Sequence, residues 1–316
     1  MNPIKIAIIS PPINNIGEVV GYDTMMAYNI LTGLRKHDDI QIVKEVDSNK
    51  KIDLTQIDWN GATHIFAIGL RYWHSQNVSV INNLASKIRG KLFHYYDSGH
   101  YPIKHPTVIN FAVMDWTITK GRDVHIGWAA DASLFHIDKR RDDDILRVLI
   151  DHPPYKIQAS AIRDLNAIVQ NKALLNELNK KCGTRFNRAV IRRLVSDGID
   201  ESTITSIDCT YNRKSLSQPE LINEYAKAHV YFMMHRESMG MPVLEGALAG
   251  CVIAAPHKLV KDEVLKHVNH VKFESRIDWS AIISKINPQD NRKRVEHYTW
   301  DNCIDNIISG FRQYQQ

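Results

Sequence analysis

The sequence lacks the long apolar runs that cross membranes. No uninterrupted apolar stretch in its 316 residues approaches the roughly 18 residues expected of a membrane-spanning helix. The opening segment, MNPIKIAIIS, also lacks the layout of a secretory signal peptide, and its apolar β-branched residues predict a first strand. We therefore expect a cytoplasmic protein without a transmembrane segment, for which peripheral contact with a membrane stays open.

Cysteine and excess charge are also scarce. The four cysteines form no C-x-x-C pair, so neither a zinc site nor a disulfide framework is indicated. The net charge is only +5, which suits a phosphate-bearing substrate, an anionic membrane surface or nucleic acid without deciding among them. No dense stripe of Lys and Arg with interleaved aromatic residues stands out, so the electrostatic footprint expected of a DNA-binding protein is modest.

The sequence does contain a repeated alternation of strand and helix signals. This alternation predicts parallel α/β sheets, and the length suits two domains of about 150 residues each. A charged stretch at 136–147, HIDKRRDDDILR, predicts the linker between them. We expect Rossmann-like domains at 1–138 and 145–297. The predicted strands are 4–10, 41–46, 63–69, 91–96, 116–119, 145–150, 189–195, 203–208, 230–234 and 251–255, and the predicted helices include one capped by Asp23 and those at 79–89, 158–179 and 219–228.

The most informative segment is ESMGMPVLEGALAGCVIAAP at 237–256. Pro242 suits the first turn of a helix, and Gly240 lets the backbone approach a ligand just before that turn. Gly250 can end the helix in a left-handed conformation, and the apolar run after it predicts a buried parallel strand. A helix N-terminus attracts phosphate, so Glu237 and Glu245 are predicted to flank a bound anion.

This segment closely resembles the donor-site motif of family-4 retaining glycosyltransferases, EGFGLPVLEAMACG. Three further segments are similar to that family: GWAADASLFH at 127–136, LINEYAKAHVYFMMHRES at 221–238 and YTWDNCIDNIISGFR at 298–312. The resemblance implies the GT-B fold, an α/β architecture of two Rossmann-like domains that face each other across a cleft. The first domain would bind the acceptor and the second the nucleotide sugar. The terminal helix at 298–316 would return to the first domain.

The resemblance also implies roles for individual residues. Glu237 would lie at the donor sugar and Glu245 would bind the nucleotide ribose. The backbone between them would hold sugar hydroxyls and phosphate. The candidate donor-binding residues are Gly17, Arg236, Ser238, Met239, Gly240, Met241, Val243 and Glu245, and the candidate catalytic residues are Glu237, Asp97 and Lys156.

The segment DHPPYK at 151–156 departs from the family pattern. The family has an arginine and a lysine here, which neutralise the leaving phosphate. Lys156 matches the lysine, but Asp151 or His152 stands at the arginine position. The neighbour of Glu237, Arg236, is one possible substitute. Two others are Arg185 and Arg188.

The first domain carries weaker signals. The loop after the first strand has Gly17 where the family has a Gly-Gly pair, and a plain turn glycine is an equally good explanation. In LFHYYDSGHYP at 92–102, Asp97 matches the Asp of the family's His-Asp pair, while Tyr96 stands at the His position. His94 and His100 are close in sequence but out of register.

We expect no metal and no cofactor other than the nucleotide-diphosphate sugar itself, which is a substrate. The aspartates at 142–144 contain a D-x-D pattern, but they lie in a charged run without a strand immediately before it, which favours a solvated linker. The expected activity is retaining, metal-independent transfer of a sugar to a glycan, a lipid-linked sugar or a small molecule. The alternatives are a DNA glycosyltransferase acting on hydroxymethylated bases, a sugar-nucleotide epimerase or hydrolase, and a nucleotide-sugar-binding protein without catalysis.

Overall fold

Contacts within the chain divide it into two units. The computed structural model describes residues 3–13, 22–50, 53–68, 78–88, 91–96, 105–114, 119–135, 137, 144–150, 159–195, 198–200, 218–233, 240–257 and 260–315. The first unit comprises Met1–Ala129 and Tyr298–Gln316, and the second comprises Ala130–His297. The chain therefore crosses from one unit to the other twice.

The first unit is built on a six-stranded parallel sheet with the order β2-β1-β3-β4-β5-β6. Its strands are β1 (Ile4–Ser10), β2 (Ile40–Asp47), β3 (His64–Ala67), β4 (Lys91–Tyr96), β5 (Val108–Ala112) and β6 (Val124–His125), with helices α1 (Tyr22–Leu34) and α2 (Val78–Ile88) between them. The apolar residues of β1, β3 and β5 are buried because helices cover the sheet. The strand order reverses between β1 and β3.

The second unit has a sheet of six strands with the order β12-β11-β10-β7-β8-β9. Its strands are β7 (Ile145–Ile150), β8 (Arg188–Val195), β9 (Gly198–Asp200), β10 (Val230–Phe232), β11 (Val252–Pro256) and β12 (His270–Phe273). All neighbouring pairs are parallel except β8 and β9. Its helices are α3 (Ala159–Gln170), α4 (Lys172–Cys182), α5 (Gln218–Lys227), α6 (Met241–Leu248), α7 (Asp262–Leu265), α8 (Trp279–Ser284) and α9 (Pro288–Val295).

The last helix, α10 (Trp300–Gln313), is part of the core of the first unit. Gly33 of α1 leaves the space that Ile304 fills, since a Cβ at Gly33 would lie 2.5 Å from the Cγ1 of Ile304. The ring of Phe311 lies 4.9 Å from that of Phe93 and 5.2 Å from that of Phe111, in edge-to-face arrangements. The helix is held by burial of its apolar face.

Buried His64 adds a polar attachment for this helix. Its Nε2 donates a hydrogen bond to the carbonyl of Phe311 at 3.2 Å, and its Nδ1 lies 2.8 Å from the hydroxyl oxygen of Thr63. Burial lowers the pKa of His64, because the interior disfavours the charged ring more than these hydrogen bonds favour it. The core therefore holds the neutral imidazole.

Several sequence predictions differ from the structure. The single helix predicted at 158–179 is two helices, because the side chain of Asn171 accepts a hydrogen bond from the amide of Leu174 at 3.0 Å and starts α4 anew. Of the predicted strand at 116–119, residues 116–118 lie outside the described residues, and Thr119 is not in a strand. The predicted strand at 203–208 also lies outside them, while β5, β6, β9 and β12 were not predicted.

The first domain was expected to end at residue 138, whereas contacts assign the chain from Ala130 onward to the second unit. The physical reason is that Arg292 of α9 donates hydrogen bonds to the carbonyls of Ala132 and Phe135. These bonds attach the start of the linker to the second core.

We predict that His64 makes stability depend on pH. An unfolded histidine titrates near about 6.5, and the folded-state pKa of His64 is lower, so the unfolded chain binds more protons between these values. The contribution of His64 is fully present above about pH 6.5 and is lost as the pH falls towards its folded-state value. The free energy of unfolding, measured with urea at pH 7.5 and at pH 5, should fall less on acidification for His64→Gln than for the parent. The partly buried His37 provides the control variant His37→Gln. If acidification lowered the free energy of unfolding of H64Q as much as that of H37Q, the pH dependence would not come from His64.

Candidate functional site

The strand order of the second sheet places side by side the two strands, β7 and β10, that precede the candidate segments at 151–158 and 234–239. The chain moves outward in one direction from β7 to β8 and β9, and in the other direction from β10 to β11 and β12, so the order reverses between β7 and β10. Ile150 and Phe232 are paired in register at the carboxyl ends of these two strands. In open parallel sheets, ligands bind at such a reversal, outside the carboxyl ends of the strands. Residues 151–158 and 234–239 continue the chain from this point.

Helix α6 begins immediately after the second of these segments. Its N-cap is Gly240, which has φ +79° and ψ 19°, a left-handed conformation that suits glycine. The carbonyl of Gly240 accepts the amide of Leu244 at 2.8 Å, which closes the first turn. Pro242 lies in that turn and has no N–H, so the first turn presents the amides of Met241 and Val243. The positive end of the helix dipole lies here, which is a favourable place for an anion.

Burial fixes the orientation of α6. Val243, Leu244, Ala247 and Leu248 are fully buried, and Met241 is nearly so. Gly246 packs closely on the sheet, since a Cβ there would lie 3.1 Å from the ring of Tyr231 in β10. Glu245 is the one acidic residue of this helix. Because it is only partly buried, its side chain is accessible at the surface of the helix.

The C-terminus of α6 is closed by its own backbone. The amide of Cys251 donates to the carbonyl of Gly246 at 2.8 Å, and the amide of Gly250 donates to that of Ala247 at 2.8 Å. Gly250 has φ +79°, so this is a Schellman motif with a left-handed glycine. Pro288 of α9 packs directly against Gly250.

Seven of the candidate residues lie outside the described residues: Gly17, Asp97, Lys156, Arg236, Glu237, Ser238 and Met239. In chain order Gly17 follows β1 and Asp97 follows β4, both after the carboxyl ends of strands. Gly240, Met241, Val243 and Glu245 are described, and all four belong to the cap or body of α6.

His94 and two of the proposed substitute arginines are among the described residues. His94 is fully buried within β4, where its Nδ1 lies 3.4 Å from Oδ1 of Asn110. Arg188 pairs with Ile145 at the amino ends of β8 and β7, the edge opposite to the carboxyl ends, and Arg185 precedes it in the chain. Arg188 therefore lies at the edge of the sheet opposite to the one from which residues 151–158 continue the chain.

Two residues of α9 that the sequence analysis did not select contact the C-terminus of α6 and the residues that follow it. Asn291 donates from Nδ2 to the carbonyl of Cys251 and accepts the amide of Asn269 at 2.6 Å. Arg292 donates to the carbonyl of Leu248, the last residue of α6, at 3.1 Å. No local pattern in the sequence relates α9 to α6, so only the assembled structure identifies them.

Within the described part of the chain, no three His, Cys, Asp or Glu residues cluster as metal ligands. Asp144, the described member of the 142–144 run, is exposed and has a positive φ of 52°. No helix among the described residues has both the length and the apolar character needed to cross a bilayer.

Comparison with known proteins identifies the fold. No protein-family model and no curated protein match the sequence. The chain is similar in structure to the lipopolysaccharide outer core galactosyltransferase WaaB (11% identity, TM-score 0.57, covering 98% of this chain and 99% of that one). It is also similar to sucrose-phosphate synthase from Thermosynechococcus elongatus (11% identity, TM-score 0.56, 98% of each chain). A third similar structure is that of HepE from Anabaena with UDP and glucose (12% identity, TM-score 0.51, 98% and 99%).

At such low identities these comparisons show the fold alone. They confirm the expected α/β fold of the GT-B type, with two parallel-sheet Rossmann-like domains.

We predict that Gly250→Ala destabilises the second unit more than Gly183→Ala does. Both glycines have positive φ values at helix ends, and a left-handed alanine costs about 1–2 kcal/mol. A Cβ at Gly250 would also lie 2.8 Å from the backbone of Pro288, whereas a Cβ at Gly183 would meet nothing within 4 Å. The close contact should add about 1–3 kcal/mol. Equal losses in urea unfolding would show that α9 moves aside without cost.

Proposed function

We propose that this chain is a retaining, metal-independent glycosyltransferase, similar to family 4, that moves a sugar from a nucleotide-sugar donor to an acceptor hydroxyl. The observation that carries the proposal is the position of α6: it begins directly after the Glu237 segment, beside the reversal of strand order between β7 and β10. The fold supports it, because WaaB is a galactosyltransferase and the HepE structure contains UDP and glucose.

The donor diphosphate would bind at the start of α6. Breaking the bond between the sugar and the diphosphate develops negative charge on the phosphate and positive charge on the sugar ring. Preorganised donors stabilise that anion best, and the amides of Met241 and Val243 are such donors. Lys156 and Arg236, whose segments continue from β7 and β10, would add positive charge without a metal ion.

The two glutamates would bind different parts of the donor. Glu245 would accept hydrogen bonds from the ribose diol, since an ionised carboxylate can accept one from each of the two hydroxyls. Glu237 would hold hydroxyls of the donor sugar and favour the positive charge that develops on its ring. Asp97 and Gly17 of the first unit would contact the sugar or the acceptor.

The donor would be the only small-molecule partner besides the acceptor, and no cofactor takes part in this scheme. The acceptor would be a glycan, a lipid-linked sugar, a small molecule or a modified DNA base.

Donor screening followed by turnover assays tests the proposal. A thermal-shift screen of nucleotide-diphosphate sugars should find one that raises the melting temperature, because binding to the folded state stabilises it. With that donor, transfer should need an acceptor, persist in EDTA and keep the anomeric configuration of the sugar. Release of sugar to water, conversion of the donor without an acceptor, or binding without turnover would instead identify a hydrolase, an epimerase or a binding protein.

We predict that Glu245→Ala weakens binding of the free nucleotide diphosphate. Removing an ionised partner costs about 1.5–3 kcal/mol per hydrogen bond, which sets the expected loss of affinity in calorimetry. Glu263 of α7 is an exposed acidic residue of the same unit, so Glu263→Ala is a matched control that should bind like the parent. Parent-like binding by E245A would refute the ribose assignment.

We predict a different pattern for Glu237→Gln, which keeps the size of the side chain and removes its charge. Turnover of the true donor should fall far more than affinity for the bare nucleotide, because the lost interaction belongs to the sugar in the transition state. Kinetics with the donor and calorimetry with the nucleotide diphosphate give the two numbers. Equal losses would move Glu237 into the nucleotide pocket, and no loss in either would make it a surface carboxylate.

A further inference from the structure

The last carbonyl of α6 accepts a hydrogen bond from a side chain that is distant in the sequence. The carbonyls of Glu245, Gly246 and Ala247 accept amides of the turn that follows the helix. The carbonyl of Leu248 accepts Nη1 of Arg292 at 3.1 Å. A guanidinium at a helix C-terminus also interacts favourably with the negative end of the helix dipole. Arg292 therefore completes the C-terminal cap of α6.

The same guanidinium holds the segment by which the chain enters the second unit. Nη2 of Arg292 donates to the carbonyl of Ala132 at 2.9 Å, and Nη1 also donates to the carbonyl of Phe135. The turn that carries these carbonyls is itself stabilised by Asp131, whose side chain accepts the amide of Ser133 at 2.9 Å. One planar group thus joins α6 to an ordered turn.

Apolar contacts connect the same two elements along a second route. Phe135 is buried, and its ring lies 6.5 Å from that of Tyr225 in α5. The ring of Tyr225 lies 5.1 Å from that of Tyr231, which packs against Gly246 of α6. This route positions the middle of α6, whereas Arg292 positions its end.

Helix α6 needs such support because it has only eight residues. Isolated helices of this length are marginal, since nucleation is costly and tertiary packing supplies most of the stability. At about 1.5 Å per residue, Leu248 lies roughly 10 Å along the helix axis from Met241 and roughly 8 Å from Val243. A short helix moves as a rigid rod, so displacement of its C-terminus displaces its N-terminus.

We propose that Arg292 is a positioning residue of the donor site: by fixing the C-terminus of α6 against the turn at Ala132 and Phe135, it fixes the anion-binding amides at the other end. This inference rests on the proposed function for its ligand, but the fixing of α6 is independent of that function. A lysine cannot replace Arg292 fully, because its single ammonium group lacks the planar fork that reaches three carbonyls.

The experiment compares Arg292→Gln and Arg292→Lys with Arg294→Gln. Arg294 is exposed on the same helix and pairs only weakly with Asp290, at 3.5 Å, so it is a matched control. Hydrogen exchange of the ligand-free protein, measured well below the melting temperature, should be at least tenfold faster in α6 for R292Q than for R294Q. R292K should lie between them and gives the comparison if R292Q does not fold.

Function is then measured per folded molecule. R292Q should lose at least tenfold in kcat/KM for the donor and in affinity for the nucleotide diphosphate, and millimolar guanidinium should restore part of both. A lower melting temperature with unchanged exchange in α6 and unchanged kinetics would make Arg292 merely structural and overturn the proposal, as would faster exchange with parent-like affinity. If the parent itself binds no nucleotide sugar, the proposed function fails, and the exchange result still decides whether Arg292 holds α6.

Discussion

The pairing of β7 with β10 is the constraint on which the candidate site depends. Parallel pairing sets Ile150 beside Phe232, so the segments that contain Lys156 and Glu237 both continue the chain from one place on the sheet edge. Residues 151–158 and 234–239 are more than 75 positions apart in the chain, and no local interaction would bring their starting points together. The long crossovers that parallel strands need supply the intervening helices, which cover the sheet and bury it.

The short helix α6 then supplies backbone amides in a fixed direction as hydrogen-bond donors. Glycine at Gly240 and proline at Pro242 define where α6 begins, and Gly250 defines where it ends. The buried face of α6 on Tyr231 and the contact of Gly250 with Pro288 leave it little freedom to slide. Its amides are preorganised by packing, which is the condition under which they stabilise an anion without reorganising.

Sequence reasoning succeeded where the signal was local. The Gly, Pro and Gly of the 240–250 segment each demand a particular backbone conformation, so the bounds of α6 and the left-handed Gly250 were predictable from side-chain chemistry. It failed where two local signals compete or where the partner is distant. Asn171 lies in a helical pattern but caps a new helix, and an asparagine alone does not distinguish these outcomes. Arg292 lies 44 positions after its acceptor Leu248, and no periodicity connects them.

The position of Arg188 narrows the question of how a leaving phosphate would be neutralised. Parallel strands place their amino ends at one edge and their carboxyl ends at the other, so a residue paired with Ile145 at the start of β7 is separated from Ile150 by the length of that strand. At about 3.3 Å per residue, the five steps from Ile145 to Ile150 make roughly 16 Å, which exceeds the reach of an arginine side chain. Of the cations considered from the sequence, Lys156 and Arg236 are those whose segments continue from the carboxyl edge. In the proposed transferase, the arginine that the family carries after the first strand of its second domain would be replaced by Arg236, which follows β10 and directly precedes Glu237. Such an exchange would keep a positive charge near the proposed phosphate while moving its source from β7 to the neighbouring strand.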